Sequence, residues 1–80
     1  MVMIISVDQV LEETDFPENG LICETYSRNR RVRMLIENYQ IIIFNFNDVV
    51  GNFQISQLDQ AVETFNYYAS RNLSSMAIVL

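Results

Sequence analysis

Apolar and polar positions alternate with period two through the middle of the chain and recur with helical period toward its end. Val32, Met34 and Ile36 alternate with Arg33, Leu35 and Glu37, which predicts a strand over about 31–37 with the first three pointing inward. A strand-like segment over 21–28 precedes it, and another over about 40–50 follows. Asn29-Arg30 and Asn38-Tyr39 are the predicted turns, because Asn accepts the left-handed conformation more readily than most residues. Connections this short make neighbouring strands antiparallel. On the third segment Ile42, Phe44 and Phe46 are expected to share the core face. Gly51-Asn52 is expected to break the sheet, or at most to turn the chain into Phe53-Gln54-Ile55.

The clearest helical stripe is Leu58, Ala61, Val62, Phe65, Tyr68 and Ala69, with Gln57, Asp59, Gln60, Glu63, Thr64, Asn66, Tyr67 and Ser70 on the other side. It predicts a helix over 57–72 lying across the Ile42/Phe44/Phe46 face. Ser56 with Asp59 is an N-cap signature, and Arg71 suits the negative end of the helix dipole. Near the start, residues 1–5 are β-prone. Ser6 with Gln9 fits a capping box for a short helix carrying Val7, Val10, Leu11 and Thr14. Pro17-Glu18-Asn19-Gly20 is turn chemistry. The final apolar run, residues 76–80, fits either a short edge strand or a continuation of the helix. The order predicts an α+β fold in a single domain over 1–80. It is an antiparallel three- to four-stranded sheet with a short N-terminal helix and a longer C-terminal helix packed on one face.

Composition adds a surplus. Half of the 80 residues are apolar, more than one small core hides, so a partner protein or a second copy is expected to cover the remainder. Charge adds an asymmetry. The net charge is −5, with no Lys and no His, yet Arg28, Arg30, Arg31 and Arg33 fall within six positions, leaving ten acids against Arg71 elsewhere. An acidic body disfavours general attraction to nucleic acid or anionic membranes. The terminal apolar runs are too short to span a bilayer, and the first lacks the basic flank of a signal peptide, so no membrane association is expected. Cys23 is the only cysteine, which rules out an intramolecular disulfide framework and fits a cytoplasmic setting.

The missing residues narrow the chemistry. Without His there is no Ser-His-Asp or Cys-His nucleophile and no imidazole metal site, and without Lys there is neither a Schiff base nor a P-loop. Two isolated glycines, Gly20 and Gly51, cannot form a phosphate-cradling loop. Glu12, Glu13, Asp15 and Glu18 crowd together but lack the spacing of a calcium loop, so they are expected to be a solvated acidic stretch. Cys23 is expected to be a buried or half-buried strand thiol without reactivity. No enzyme activity, cofactor or metal is expected.

Two surfaces remain unaccounted for. One is the basic tip at the first hairpin turn, where the four arginines, with Tyr26 beside them, could clamp carboxylates or phosphates of a partner, enter a nucleic-acid groove, or simply protect the turn. The other is apolar: Leu35, Ile41 and Ile43 are expected to point outward, with Tyr39 near them at the turn. Tyr67 on the polar side of the long helix is a third interface candidate. The residues expected to meet a partner are therefore Arg28, Arg30, Arg31, Arg33, Leu35, Tyr39, Ile41, Ile43 and Tyr67.

Helix, three antiparallel strands and helix is also the order of double-stranded-RNA-binding domains. This chain has Asp59 and Glu63 on its second helix where those domains place basic clusters, and it is assigned to no family. In size, charge and compactness it resembles the small acidic inhibitors of phages and mobile elements, such as anti-restriction and anti-CRISPR proteins. That resemblance implies a non-enzymatic module that binds and modulates a partner protein, such as a nucleic-acid-handling enzyme, with homo-oligomerisation also expected. The alternative is a nucleic-acid-binding accessory protein that uses the Arg-rich hairpin.

Overall fold

A computed structural model describes residues 4–13, 19–25, 32–71 and 77–79. In chain order the elements are α1 (Val7–Glu13), β1 (Gly20–Thr25), β2 (Val32–Glu37), β3 (Gln40–Asn45), β4 (Asp48–Gln54), a 3-10 turn (Ile55–Gln57), α2 (Leu58–Arg71) and β5 (Ala77–Val79). The strands make one sheet in the order β4-β3-β2-β1-β5, and every neighbouring pair is antiparallel. The α+β class follows the sequence periodicities: a four-stranded antiparallel meander with a short N-terminal helix and a longer C-terminal helix packed against it. Of the two alternatives for the tail, the strand is realised, as the three-residue β5 pairs with β1 at the sheet edge.

α1 starts where the capping pattern predicts. The Gln9 N–H donates to Ser6 Oγ at 3.1 Å, which satisfies a donor that a helix start leaves orphaned, and the Val10 N–H makes the first helical bond, to the Ser6 carbonyl at 3.1 Å. Ile4 and Ile5 form a bend rather than a strand. A side chain of α2 holds that bend: Asn66 Oδ1 accepts the N–H groups of Ile4 and Ile5 at 2.9 Å each, and its Nδ2 donates to the Ile5 carbonyl at 2.8 Å. Asn66 is therefore buried, not on the polar side of the helix. Its position explains this, because Leu58, Val62, Asn66 and Ala69 share one face at helical spacing. The amide supplies the polar partners that a buried backbone segment needs.

The expected long strand over 40–50 is two strands. Phe46 and Asn47 turn the chain, and the Gly51-Asn52 pair expected to break the sheet lies inside β4, opposite Ile43 and Ile42. Gly51 has a packing role there. A Cβ on it would stand 2.7 Å from Cε2 of Phe53, so the bare backbone lets that ring lie back over the strand.

The second correction concerns which way β3 faces. Asn38 and Tyr39 have φ of 52° and 65°, which fits the two-residue type I′ turn, and that turn pairs Glu37 with Gln40, Ile36 with Ile41, Leu35 with Ile42 and Met34 with Ile43. Directly paired residues share a face, so the even-numbered inward residues of β2 meet odd-numbered residues of β3. The core face of β3 is thus Ile41 and Ile43, and α2 lies across them rather than across Ile42, Phe44 and Phe46. One cluster joins Ile5 and Val10 of the N-terminal region, Ile22 and Cys23 of β1, the inner residues of β2 and β3, and Leu58, Ala61, Val62, Phe65 and Ala69 of α2.

Candidate interaction surface

Both helices contribute to that inner cluster, and among the described residues no element packs on the opposite side of the sheet. The register arranges this outer face in three cross-strand rows. Glu37, Gln40 and Gln54 form a polar row at one end. Leu21, Leu35 and Ile42 form an apolar row that ends in Asn52. The third row, Glu24, Arg33, Phe44 and Val49, runs from charged to apolar. Leu21, Leu35, Ile42 and Phe44 are half-buried, and Val49 is exposed. An antiparallel sheet with one wetted face normally carries polar residues there, whereas an apolar centre inside a polar rim is the composition of an interface.

Arg33 is held flat on this face. Its guanidinium carbon lies 5.0 Å from the centroid of the Phe44 ring, and Nη2 donates to the Phe46 carbonyl at 3.2 Å. Aromatic residues stand at both ends of β3. Tyr39 is 71% exposed, and Phe46 is 53% exposed with φ of 61°. The left-handed region costs a bulky side chain about 1–2 kcal/mol, so Phe46 is held exposed in an unfavourable backbone conformation. At the Tyr39 end, Asn19 Oδ1 accepts the Asn38 N–H at 3.1 Å, and Gly20, with φ of 139°, supplies the conformation that leads into β1.

The structure brings three of the sequence-predicted site residues together: Arg33 and Leu35 on the outer face, and Tyr39 at its end. Ile41 and Ile43 are 0% exposed beneath α2 and leave the surface, because the two-residue turn fixes their parity. Tyr67 is exposed on α2, which packs on the inner face, so it belongs to a different surface. Arg28, Arg30 and Arg31 lie in the connection between β1 and β2, outside the described residues. At the neck of that connection Thr25 Oγ1 accepts the Val32 N–H at 3.0 Å. Sequence reasoning missed Leu21, Ile42, Phe44, Phe46 and Val49. Carrying the inward face of β2 through a two-residue turn was the signal that could have found Ile42 and Phe44.

Cys23 is buried in β1, as expected of an inert strand thiol. Burial, with the nearby charge of Glu24 adding to it, pushes the thiol up to about 12, so it stays protonated near neutral pH and is a poor nucleophile. Among the described residues no group of three His, Cys, Asp or Glu side chains is placed to hold a metal ion, and no helix is long and apolar enough to cross a membrane. Comparison with protein-family models, curated proteins and solved structures finds no match to this chain.

Proposed function

We propose that the chain is a non-enzymatic interaction module that docks a partner protein on the outer face of its sheet and modulates or inhibits it. The observation that carries this reading is the Leu21/Leu35/Ile42/Phe44 patch, an apolar centre with Arg33, Glu37 and Gln40 around it and no covering element among the described residues. Tyr39 and Phe46 extend the patch at its two ends with exposed aromatic rings, the side chains that most often anchor interfaces. The net charge of −5 favours a partner with a basic face, as enzymes that handle nucleic acid have. The lone free Cys23 supports a cytoplasmic setting.

The test compares the wild-type chain with Leu35→Glu and Ile42→Glu. Each puts a charge into the centre of the patch without touching the inner core. Capture from extracts of the source cells, followed by titration of the identified partner, is expected to show binding by the wild type and loss in both variants, with unchanged circular dichroism. A partner that binds both variants as tightly as the wild type contradicts the reading. Light scattering is the second arm. A wild-type dimer that both variants dissociate assigns the face to a second copy and replaces the reading with self-assembly. Binding to nucleic acid that weakens steeply with salt and is lost on Arg30→Ala with Arg31→Ala replaces it with the nucleic-acid alternative.

A further inference from the structure

A second surface that no described residue covers lies on the helix side of the molecule, independent of the outer face. β4 ends the sheet order, and among the described residues no strand pairs with its far edge. The bulge between Val49 and Gly51 bends the first half of β4, while Gly51–Gln54 stays in regular register with β3. Natural edge strands are commonly blunted by a bulge, Lys, Pro or an inward charge; here the bulge is confined to Val50, the Gln54 N–H is taken by Gln57 Oε1 at 3.0 Å, and Gly51, Asn52 and Phe53 carry none of the other devices. The opposite edge strand, β5, has only three residues.

α2 returns alongside this edge, with Thr64 Cγ2 3.4 Å from where a Gly51 Cβ would stand. Between the two elements lies an open cleft of about 450 Å³, walled by Val50 and Phe53 from β4 and by Glu63, Thr64, Tyr67 and Tyr68 from α2. The Tyr67 and Tyr68 rings meet edge to face at 5.1 Å. Arg71 steadies Tyr67, with Nη1 donating to its hydroxyl at 3.0 Å and the guanidinium carbon 5.3 Å from the ring centroid. A free sheet edge beside a helix-walled cleft is the geometry by which an extended peptide adds as a strand, its backbone pairing with the edge and alternate side chains entering the cleft.

Charge selects the occupant. From Asp48 to Arg71 the chain carries Asp48, Asp59 and Glu63 against the single cation Arg71, which is engaged with the Tyr67 ring and hydroxyl, and Glu63 stands in the cleft wall beside aromatic rings. A cleft that sets the Glu63 carboxylate among aromatic rings suits a Lys or Arg side chain. We infer that the β4–α2 cleft docks an extended basic segment of a partner protein, which pairs with Gly51–Phe53 and places a cationic side chain beside Glu63.

The experiment is fluorescence anisotropy of the whole chain with a labelled eight-residue peptide alternating Val and Lys. Two control peptides are used, one with Glu in place of Lys and one N-methylated at alternate backbone positions. The Val/Lys peptide is expected to bind at concentrations below about 1 mM, and the Val/Glu peptide not to bind. N-methylation, which removes the ladder donors, is expected to weaken binding at least about tenfold. Glu63→Gln is expected to weaken it about three- to tenfold, whereas Glu37→Gln, the same charge change on the outer face, leaves it unchanged. Leu35→Glu is also expected to leave it unchanged, so the fate of this site is separable from that of the outer face. The inference is overturned by no binding of the Val/Lys peptide up to about 1 mM. It is equally overturned by indifference to N-methylation, or by equal effects of the Glu63 and Glu37 changes, which would mean general attraction to an acidic protein.

Discussion

The two faces of the β2–β3 ladder are built from nearly the same kinds of residue and do different jobs. Met34, Ile36, Ile41 and Ile43 lie beneath α2 and are closed to solvent, whereas Arg33, Leu35, Ile42 and Phe44 lie on the other side and are only half-buried. Hydrophobicity alone does not separate them, since three of these four outer residues are apolar. What separates them is cover. α2 supplies the inner face with Leu58, Ala61, Val62, Phe65 and Ala69, and nothing described supplies the outer one. An apolar strip that no described element covers, bordered by charged and polar residues, has the composition of an interface.

If this contrast holds, substitutions on the two faces fall into two classes, and the largest losses come from the inner layer. Phe65→Ala removes the largest fully buried side chain among the described residues and is expected to cost about 3–5 kcal/mol in urea unfolding, a large share of the stability of so small a protein. Alkaline titration probes the same layer. The folded state holds the Cys23 proton up to about 12 against the ordinary 9.0, so it binds that proton more tightly than the unfolded chain does. The associated stability is fully present below pH 9 and is lost as pH rises from 9 toward 12. The loss amounts to roughly 4 kcal/mol at most. Cys23→Ala is expected to flatten the stability profile in that window relative to the wild type, and identical slopes would contradict the burial of the thiol.

Asn66→Ala comes next. It leaves the N–H groups of Ile4 and Ile5 and the Ile5 carbonyl without their partner, and a loss of about 2–3 kcal/mol is expected, with faster amide exchange at Ile5 as the local readout. The outer face should respond weakly. Leu35→Ser is expected to cost under about 1 kcal/mol while abolishing association. Gly51→Ala is the smallest effect expected, about 0.5–1 kcal/mol, because the atom it meets is the far edge of the Phe53 ring, which can shift. Its readout is a changed Phe53 environment by nuclear magnetic resonance.

Much of this architecture was legible in the residues. The stripe on α2, the Ser6 cap, the alternation of β2 and the Asn38-Tyr39 turn are each written in local patterns that the structure realises. The failures come from relations between segments. Gly51 resembles a turn residue by type, but its place is set by the Phe53 ring folding over it. Asn66 reads as a polar-side residue by type, but its position on the apolar stripe decides, and the backbone it serves lies about 60 residues away. The orientation of β3 was derivable, since a two-residue turn forces odd residues to face even ones, but reading β3 as an isolated alternation put Ile41 and Ile43 on the wrong side. The candidate site inherited that error. Arg33, Leu35 and Tyr39 hold their places, and Ile42 and Phe44 take the positions assigned to Ile41 and Ile43.

The most direct test of the two-faced sheet uses adjacent residues of one strand. Ile42→Ala and Ile43→Ala delete the same atoms from β3 on opposite sides, so their urea unfolding free energies isolate the effect of cover. A loss of about 2–5 kcal/mol is expected for Ile43→Ala and under about 1.5 kcal/mol for Ile42→Ala. Equal losses would show that the outer face is packed as tightly as the inner one, and no surface would then be left there for a partner.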